Sequence, residues 1–230
     1  PEDWQRWWAG ARHFIAKDIV KPHAVFWPTI LLAADLPLYR RLHVHGYWNM
    51  GESKMSKSLG NVIRPLEMRD RFGLDTFRYF LLREMSFGQA AAFTEDAFVT
   101  RPNADLANGL GNLVSRVLSM QNKYFDGALQ PLVPDDAAGI DALLAEHEAY
   151  RDSSADAEVR EAFATAETRA IEHLDHVAFH MALEEIWKTV AACDKFIVET
   201  SPFKIWKLDE RLKPRVGAIL RLLCEGLLRI

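Results

Sequence analysis

The sequence predicts an α/β fragment followed by an all-α helix bundle, and the pattern changes near Phe93. Before that residue, short segments of strand and helix character alternate with tight connections, which is typical of an α/β unit. After it, apolar residues recur at three- and four-residue spacing over long stretches, which indicates packed amphipathic helices. Of the 230 residues, 49% are hydrophobic, which is enough to build a folded core.

A strand, a helix and a second strand follow one another in the first part of the chain. Residues 12–15 favour a short strand, and residues 42–45 alternate like a second strand that ends at Gly46. Between them we predict a helix over 22–34, because Pro22 suits a first helical turn and apolar residues follow at helical spacing. Those residues are Val25, Phe26, Thr29, Ile30 and Ala33. In such sheets, ligands collect at the C-terminal ends of the strands.

The second part is predicted to contain several helices. One long amphipathic helix ends at residues 125–127. Its periodic residues are Leu106, Leu110, Leu113, Val114, Val117, Leu118 and Gln121. Helical composition then continues to Leu174, and Asp175 is predicted to be the N-cap of the next helix. Residues 201–202 are predicted to cap and begin a short helix, and a last helix follows Pro214.

Charge and cysteine content limit which binding partners and which cell compartment are expected. The formal net charge is −4, but residues 1–90 carry 13 basic and 9 acidic side chains, whereas residues 91–230 carry 15 and 23. A polyanionic partner would therefore be steered to the first part of the chain. Cys193 and Cys224 allow neither a disulfide framework nor a cysteine-based zinc site, which favours the cytoplasm. No apolar run approaches the ~18 residues of a membrane span, so no membrane partner is expected.

The most specific motif lies in residues 51–61, which we call the lysine loop. Lys54 and Lys57 stand three residues apart, among serines and between two glycines. Lysine is a compact cation that binds phosphate well, and serine hydroxyls and backbone N–H groups add donors. Cations that reach a pyrophosphate leaving group as its charge develops lower the barrier for attack on an α-phosphate. The alternative interpretation is a solvated basic loop.

Residues 54–58, Lys-Met-Ser-Lys-Ser, match letter for letter the signature loop of class I aminoacyl-tRNA synthetases. Other segments resemble the methionyl-tRNA synthetase family and occur in the same order along the chain. They are residues 17–20 with His23, then 26–28, 45–47, 75–79, 103–105 and 112–116. The resemblance is strong over residues 12–125, thin over 130–170 and recognisable again over 179–207.

The resemblance implies an organisation in three parts. Residues 1–63 would complete a Rossmann-type catalytic domain, residues 64–95 would form a stem-contact segment, and residues 96–230 would form a helical anticodon-binding domain. The implied activity is ATP-dependent activation of L-methionine and its transfer to methionine tRNA, with Mg accompanying ATP as substrate.

The resemblance also implies roles for individual residues. Those implied to act at the ATP phosphates are Lys54, Met55, Ser56, Lys57 and Ser58, and Lys54 and Lys57 are the implied catalytic residues. Asp18, Ile19 and His23 fall on family positions near the methionine and adenylate pocket. A carboxylate such as Asp18 suits an ammonium group or a ribose hydroxyl, whereas His23 could instead be a hydrogen-bonded core imidazole.

Asn108, Asn112 and Arg116 stand four residues apart and are expected to share one stripe of the long helix. Amide and guanidinium groups match the base edges of splayed single-stranded RNA. The resemblance implies that Asn112 and Arg116 read anticodon bases, and a solvated polar face is the alternative. Where the family commonly has a stacking tryptophan, this chain has Phe203, with Trp206 three residues on; core packing is the alternative for both rings.

No His-Ile-Gly-His string, the N-terminal ATP signature of class I synthetases, occurs in the chain. We therefore expect the C-terminal portion of such an enzyme, which is inactive alone, has the N-terminal half as partner and lacks the family's zinc knuckle. Two other functions remain open at this point. One is another class I synthetase, and the other is a non-catalytic tRNA-binding module.

Overall fold

The computed structural model describes residues 3–56, 58, 60–130, 142–144 and 154–230. The chain forms two compact units, unit 1 over residues 1–98 and unit 2 over residues 99–230. The eight-residue helix α5, Glu95–Pro102, contains the boundary between them.

Unit 1 contains short strands and short helices in alternation. In chain order these are α1 (Trp4–Trp8), β1 (Arg12–Ala16), a 3-10 turn (Lys17–Ile19), a π-helical turn (Pro22–Phe26), α2 (Trp27–Ala33), β2 (Arg41–His45), β3 (Trp48–Met50), β4 (Ser53–Lys54), α3 (Pro65–Phe72), α4 (Leu74–Glu84) and β5 (Ala91–Phe93). The predicted strand–helix–strand order is confirmed. The predicted helix over 22–34 begins with a π-helical turn, a detail that apolar spacing does not reveal.

The two predicted strands pair with each other in parallel. The register runs from Arg12 opposite Arg41 to Ala16 opposite His45, so their carboxyl ends lie at one edge. A second sheet has the order β4-β3-β5, in which β3 is antiparallel to β4 and parallel to β5. Gly46 connects the two sheets. A Cβ there would lie 1.9 Å from the backbone oxygen of Gln89, so no larger residue fits.

The core of unit 1 lies under α3, α4 and β5. Its buried residues are Met68, Phe77, Phe80, Phe93 and Phe98. Among the described residues up to 63, by contrast, Ile15 and Leu31 are the only buried hydrophobic side chains. The β1–β2 region therefore has little core of its own.

Unit 2 is helical wherever the structure describes it. Its elements are a π-helical segment (Asn103–Gly111), α6 (Asn112–Phe125), α7 (Ser154–Asp175), α8 (Phe179–Thr200), α9 (Pro202–Leu208), a 3-10 turn (Glu210–Leu212) and α10 (Lys213–Leu227). The predicted long helix is present, although its first nine residues are π-helical. It ends as predicted, because Asp126 adopts a left-handed conformation with φ 49°.

Unit 2 has a continuous core built from several helices. Buried residues from each of the helices α6 to α10 meet there, including Leu113, Phe163, Phe196, Ile205 and Leu220. Cys193 is fully buried, and burial raises the pKa of its thiol to about 12. Gly226 lets α10 approach α7 closely, since a Cβ there would lie 2.0 Å from the ring of Phe163.

Two predicted helix starts are wrong in detail. Asp175 is the last residue of α7, not an N-cap; the chain turns after it, and the Ala178 N–H donates to the His173 carbonyl. Val177 takes φ 61° in that turn, a conformation unfavourable for a β-branched residue, while its side chain is buried. Ser201 precedes α9 as predicted, but its hydroxyl donates backwards to the Val198 carbonyl and does not cap α9.

Candidate functional site

Asp18 and Tyr47 stand at the carboxyl ends of the paired strands. Asp18 lies in the 3-10 turn that follows β1, and Tyr47 follows β2 by two residues. The Tyr47 phenol beside the Asp18 carboxylate, and then the nearby Lys54 ammonium, hold the pKa of Asp18 below its usual value. The same contact raises the pKa of Tyr47. Parallel pairing thus gathers polar groups at the edge where ligands bind in such sheets.

The lysine loop begins in the β3–β4 hairpin. Gly51 takes φ 56° at the turn of that hairpin, a conformation that favours glycine. Lys54 is paired with Asn49 in the short ladder, and its ammonium lies 5.1 Å from the centroid of the Tyr47 ring. The hairpin therefore brings Lys54 to the edge that already holds Asp18 and Tyr47.

Hydrogen bonds within the loop fix its shape. The Ser56 N–H donates to Asn61 Oδ1 at 2.8 Å, and Asn61 Nδ2 donates to the Lys54 carbonyl at 3.4 Å. The hydroxyls of Ser56 and Ser58 lie 2.8 Å apart. Met55 packs against the phenylalanine-rich core of unit 1, and this contact anchors the loop. Lys57, the predicted main phosphate ligand, lies outside the described residues.

His23 and Ile19 lie beside an open groove of about 420 Å³. The groove is lined by His13, Pro22, His23, Phe26, Trp27 and Ile30. A ring nitrogen of His23 lies 2.9 Å from the Ile19 carbonyl, and the Tyr39 hydroxyl donates to the His23 carbonyl at 2.8 Å. The groove wall is mainly apolar, and these hydrogen bonds hold the His23 segment in place.

The predicted stripe on the long helix of unit 2 carries polar groups toward solvent. Asn108 and Asn112 are exposed, whereas Leu113 and Val117 on the other face are fully buried. Arg116 is half-exposed and donates to Asp194 of α8 at 2.7 Å. One guanidinium nitrogen is therefore engaged by a carboxylate 78 residues away in sequence.

The two aromatic residues of α9 have different surroundings. The Phe203 side chain is 43% exposed. Trp206 is half-buried, stacks on Tyr124 with ring centroids 4.5 Å apart, and meets Phe125 edge-on. The Lys213 ammonium lies 5.0 Å from the Trp206 ring. Phe203 therefore offers an exposed ring surface, whereas the Trp206 ring packs within unit 2.

Sequence reasoning gave no role to Tyr47 or Asp194. A role for Tyr47 could have been predicted, because it follows a predicted strand by two residues, at the strand end where ligand-binding side chains collect. No sequence signal pairs Asp194 with Arg116, since only the packing of α6 on α8 brings them together.

Two further features are absent from the described part of the chain. No group of three or more histidine, cysteine, aspartate or glutamate side chains is placed to hold a metal ion there. None of the helices there is both long enough and apolar enough to span a bilayer.

Comparison with known proteins gives consistent matches. The family model for class I tRNA synthetases (M) matches residues 1–118. The methionine–tRNA ligase of Caldanaerobacter subterraneus is 38% identical over 98% of this chain, and methionine–tRNA ligase 1 of Bacillus cereus is 37% identical over the same share. The chain spans 33% and 32% of the length of these two relatives.

Solved structures agree with these relatives. The crystal structure of Mycobacterium tuberculosis methionyl-tRNA synthetase bound by methionyl-adenylate superposes with a TM-score of 0.84 at 35% identity. It matches 99% of this chain, and the match covers 41% of that chain. The apo form of the same synthetase gives a TM-score of 0.81 at 32% identity. Both matches extend through the two units described above.

Proposed function

This chain belongs to the class I tRNA synthetases (M), and from that premise we propose that it is part of a methionine–tRNA ligase. The ligase activates L-methionine with ATP, forms the aminoacyl-adenylate and transfers the amino acid to methionine tRNA in the cytoplasm. The observation that carries this proposal is the Lys-Met-Ser-Lys-Ser loop at the sheet edge that also holds Asp18 and Tyr47.

We propose that the lysine loop stabilises the transition state for adenylate formation. Attack of the methionine carboxylate on the α-phosphate releases pyrophosphate, and negative charge grows on that leaving group. Lys54 and Lys57 would bind the charge as it develops, while Ser56 and Ser58 add donors. The exposed position of Lys54 and the packing of Met55 against the core suit a loop with a fixed base that presents the Lys54 ammonium to a ligand.

Asp18, Ile19 and His23 are proposed to border the methionine and adenylate site. The Asp18 carboxylate, ionised over a wider pH range because its pKa is lowered, can accept from a substrate ammonium or a ribose hydroxyl. The apolar groove beside His23 suits an unbranched thioether side chain, which packs well against aromatic rings.

Unit 2 is proposed to read the anticodon. Asn112 and Arg116 offer amide and guanidinium groups to unpaired bases, and Phe203 offers an exposed ring for stacking. Phe203 is preferred over Trp206 because the Trp206 ring already contacts Tyr124 and Lys213.

We propose that the N-terminal part of the same enzyme covers the β1–β2 region and completes a Rossmann-type domain over residues 1–63. Parallel strands normally have both faces covered. In this region, however, Phe14, Phe26 and Ile30 are more than half exposed, and few side chains are buried. The relatives are about three times as long as this chain, which leaves room for such a part. Residues 64–95 would then contact the tRNA stem, and residues 96–230 its anticodon.

The test compares wild type with Lys57→Ala in the protein that includes the proposed N-terminal part. Removing one pre-placed cation from a developing charge typically costs about 10²–10³-fold in rate. We expect methionine-dependent pyrophosphate exchange to fall by that amount, while affinity for methionine tRNA changes little.

Lys21→Ala is the matched control, because it removes an exposed lysine of the same unit that lies over Phe26. It should leave pyrophosphate exchange unchanged. Equal activity of wild type and Lys57→Ala would contradict the enzymatic proposal and favour a tRNA-binding module without catalysis.

A further inference from the structure

Two lysines from distant parts of the sequence lie against the same tyrosine ring. The Lys17 ammonium lies 5.4 Å from the centroid of the Tyr47 ring, and the Lys54 ammonium lies 5.1 Å from it. The two nitrogens are therefore no more than 10.5 Å apart. Both side chains are exposed, so both ammonium groups are available to a ligand.

The fold, not the sequence, creates this pair. Lys17 begins the turn after β1, and Lys54 ends β4, which lies 37 residues later in a different sheet. Tyr47 lies between these two elements in sequence, directly after β2 and Gly46. Because β1 and β2 are parallel, the residues that follow both strands emerge at the same edge.

The charge balance of the cluster favours an anionic ligand. Each ammonium is attracted to the negative face of the aromatic ring. The two ammonium groups repel each other, and Asp18 supplies one compensating negative charge. Since the cluster has two ammonium groups and one carboxylate, one positive charge remains uncompensated. An oxyanion with several negative charges between the lysines would remove the repulsion and bind both.

We propose that Lys17 is a further phosphate-binding residue, held near Lys54 by the ring of Tyr47, and that this pair binds the polyphosphate part of a nucleotide. This inference rests on the proposed function, since it extends the phosphate site of the lysine loop. Tyr47 is a positioning residue in this site. Its ring contacts both ammonium groups.

The test is calorimetric titration, with inorganic pyrophosphate, of the protein that includes the proposed N-terminal part. Lys17→Met removes the charge and keeps a long apolar side chain. We expect it to weaken pyrophosphate binding about tenfold, as expected for a charge-assisted contact with an oxyanion. Lys54→Met should weaken binding by a similar factor.

Lys21→Met is the matched control. Lys21 is four residues from Lys17, carries the same charge and also lies 5.4 Å from an aromatic ring, that of Phe26. General electrostatic steering would weaken binding equally in Lys17→Met and Lys21→Met. The proposal requires that Lys21→Met bind within twofold of wild type.

Tyr47 is tested with two variants. Tyr47→Phe keeps the ring and should retain most of the pyrophosphate affinity, whereas Tyr47→Leu removes the ring and should bind as weakly as Lys17→Met. Thermal unfolding of each variant checks that it is folded. Wild-type affinity in Tyr47→Leu would overturn the positioning role.

The outcomes separate this inference from the proposed function. If Lys54→Met weakens binding while Lys17→Met behaves like Lys21→Met, the role of Lys17 is overturned and the phosphate site of the lysine loop stands. If the wild-type chain does not bind pyrophosphate at all, both are overturned.

Discussion

The β1–β2 region of unit 1 and the helix bundle of unit 2 differ in how much buried core each of them has. Among the described residues up to 63, only Ile15 and Leu31 are buried hydrophobic side chains. In unit 2, residues of several helices form one buried cluster. The candidate phosphate site is therefore built on short elements and a loop, whereas the candidate RNA surface lies on helices fixed by a core. The contrast teaches that one functional surface of a chain can be supported by its own core while another rests on short elements and a loop.

The largest expected effect is on stability, and it sharpens this comparison. Leu113→Ala opens a cavity in the core of unit 2, because Leu113 is fully buried. We expect a loss of about 2–5 kcal/mol in the free energy of unfolding. Leu32→Ala, at a side chain that is 65% exposed, should change it by less than about 0.5 kcal/mol. Urea unfolding followed by circular dichroism measures both, and equal losses would break the contrast.

The next effect is on RNA binding by unit 2. Phe203→Ala removes an exposed ring, and stacking on a base is worth about 1–3 kcal/mol, so affinity for a hairpin with the methionine anticodon should fall by that amount. Fluorescence anisotropy with a labelled hairpin measures it. Trp206→Ala should instead lower stability, because its ring packs on Tyr124 and Phe125. The assignment would be reversed if Trp206→Ala stays folded and loses RNA affinity while Phe203→Ala keeps it.

A smaller effect is expected at the ion pair between α6 and α8. Asp194→Asn should cost less than about 1 kcal/mol in stability, because both side chains of the pair are more than a third exposed. It should, however, weaken the preference for the methionine anticodon over a changed one, since Arg116 loses the group that orients it. Hairpin competition measures that preference.

Glu158→Gln is the control for that variant. It breaks another exposed ion pair of α8, that of Lys195 with Glu158 of α7 at 2.8 Å, which does not include Arg116. Anticodon preference should not change in it. An equal change in both variants would show that Asp194 acts through stability alone.

The smallest effect concerns the lysine loop. Asn61→Ala removes the acceptor of the Ser56 N–H and the donor to the Lys54 carbonyl. Amide exchange of the peptide that contains Ser56 should become faster, while global stability changes by less than about 0.5 kcal/mol. Unchanged exchange would indicate that the loop is held by Met55 alone.

The sequence by itself determined the strand–helix–strand order of residues 12–45, the long helix of unit 2 and the place of the lysine loop. These features depend on short-range chemistry. Alternation and helical spacing identify strands and helices, and proline marks helix starts such as Pro22 and Pro202. Gly51 adopts its positive φ in the turn that presents Lys54. Such short-range interactions depend on residues close in sequence, so they can be predicted without knowledge of the fold.

Tertiary structure decided the rest. Asp175 looks like an N-cap, but the backbone donors that follow it are satisfied by the end of α7, so the helix continues to it. Whether Phe203 or Trp206 is free depends on Tyr124, and the orientation of Arg116 depends on Asp194. Lys17 and Lys54 meet at Tyr47 because two parallel strands and a hairpin end at one edge. Contacts between residues so distant in sequence follow from chain packing, which local propensity does not encode.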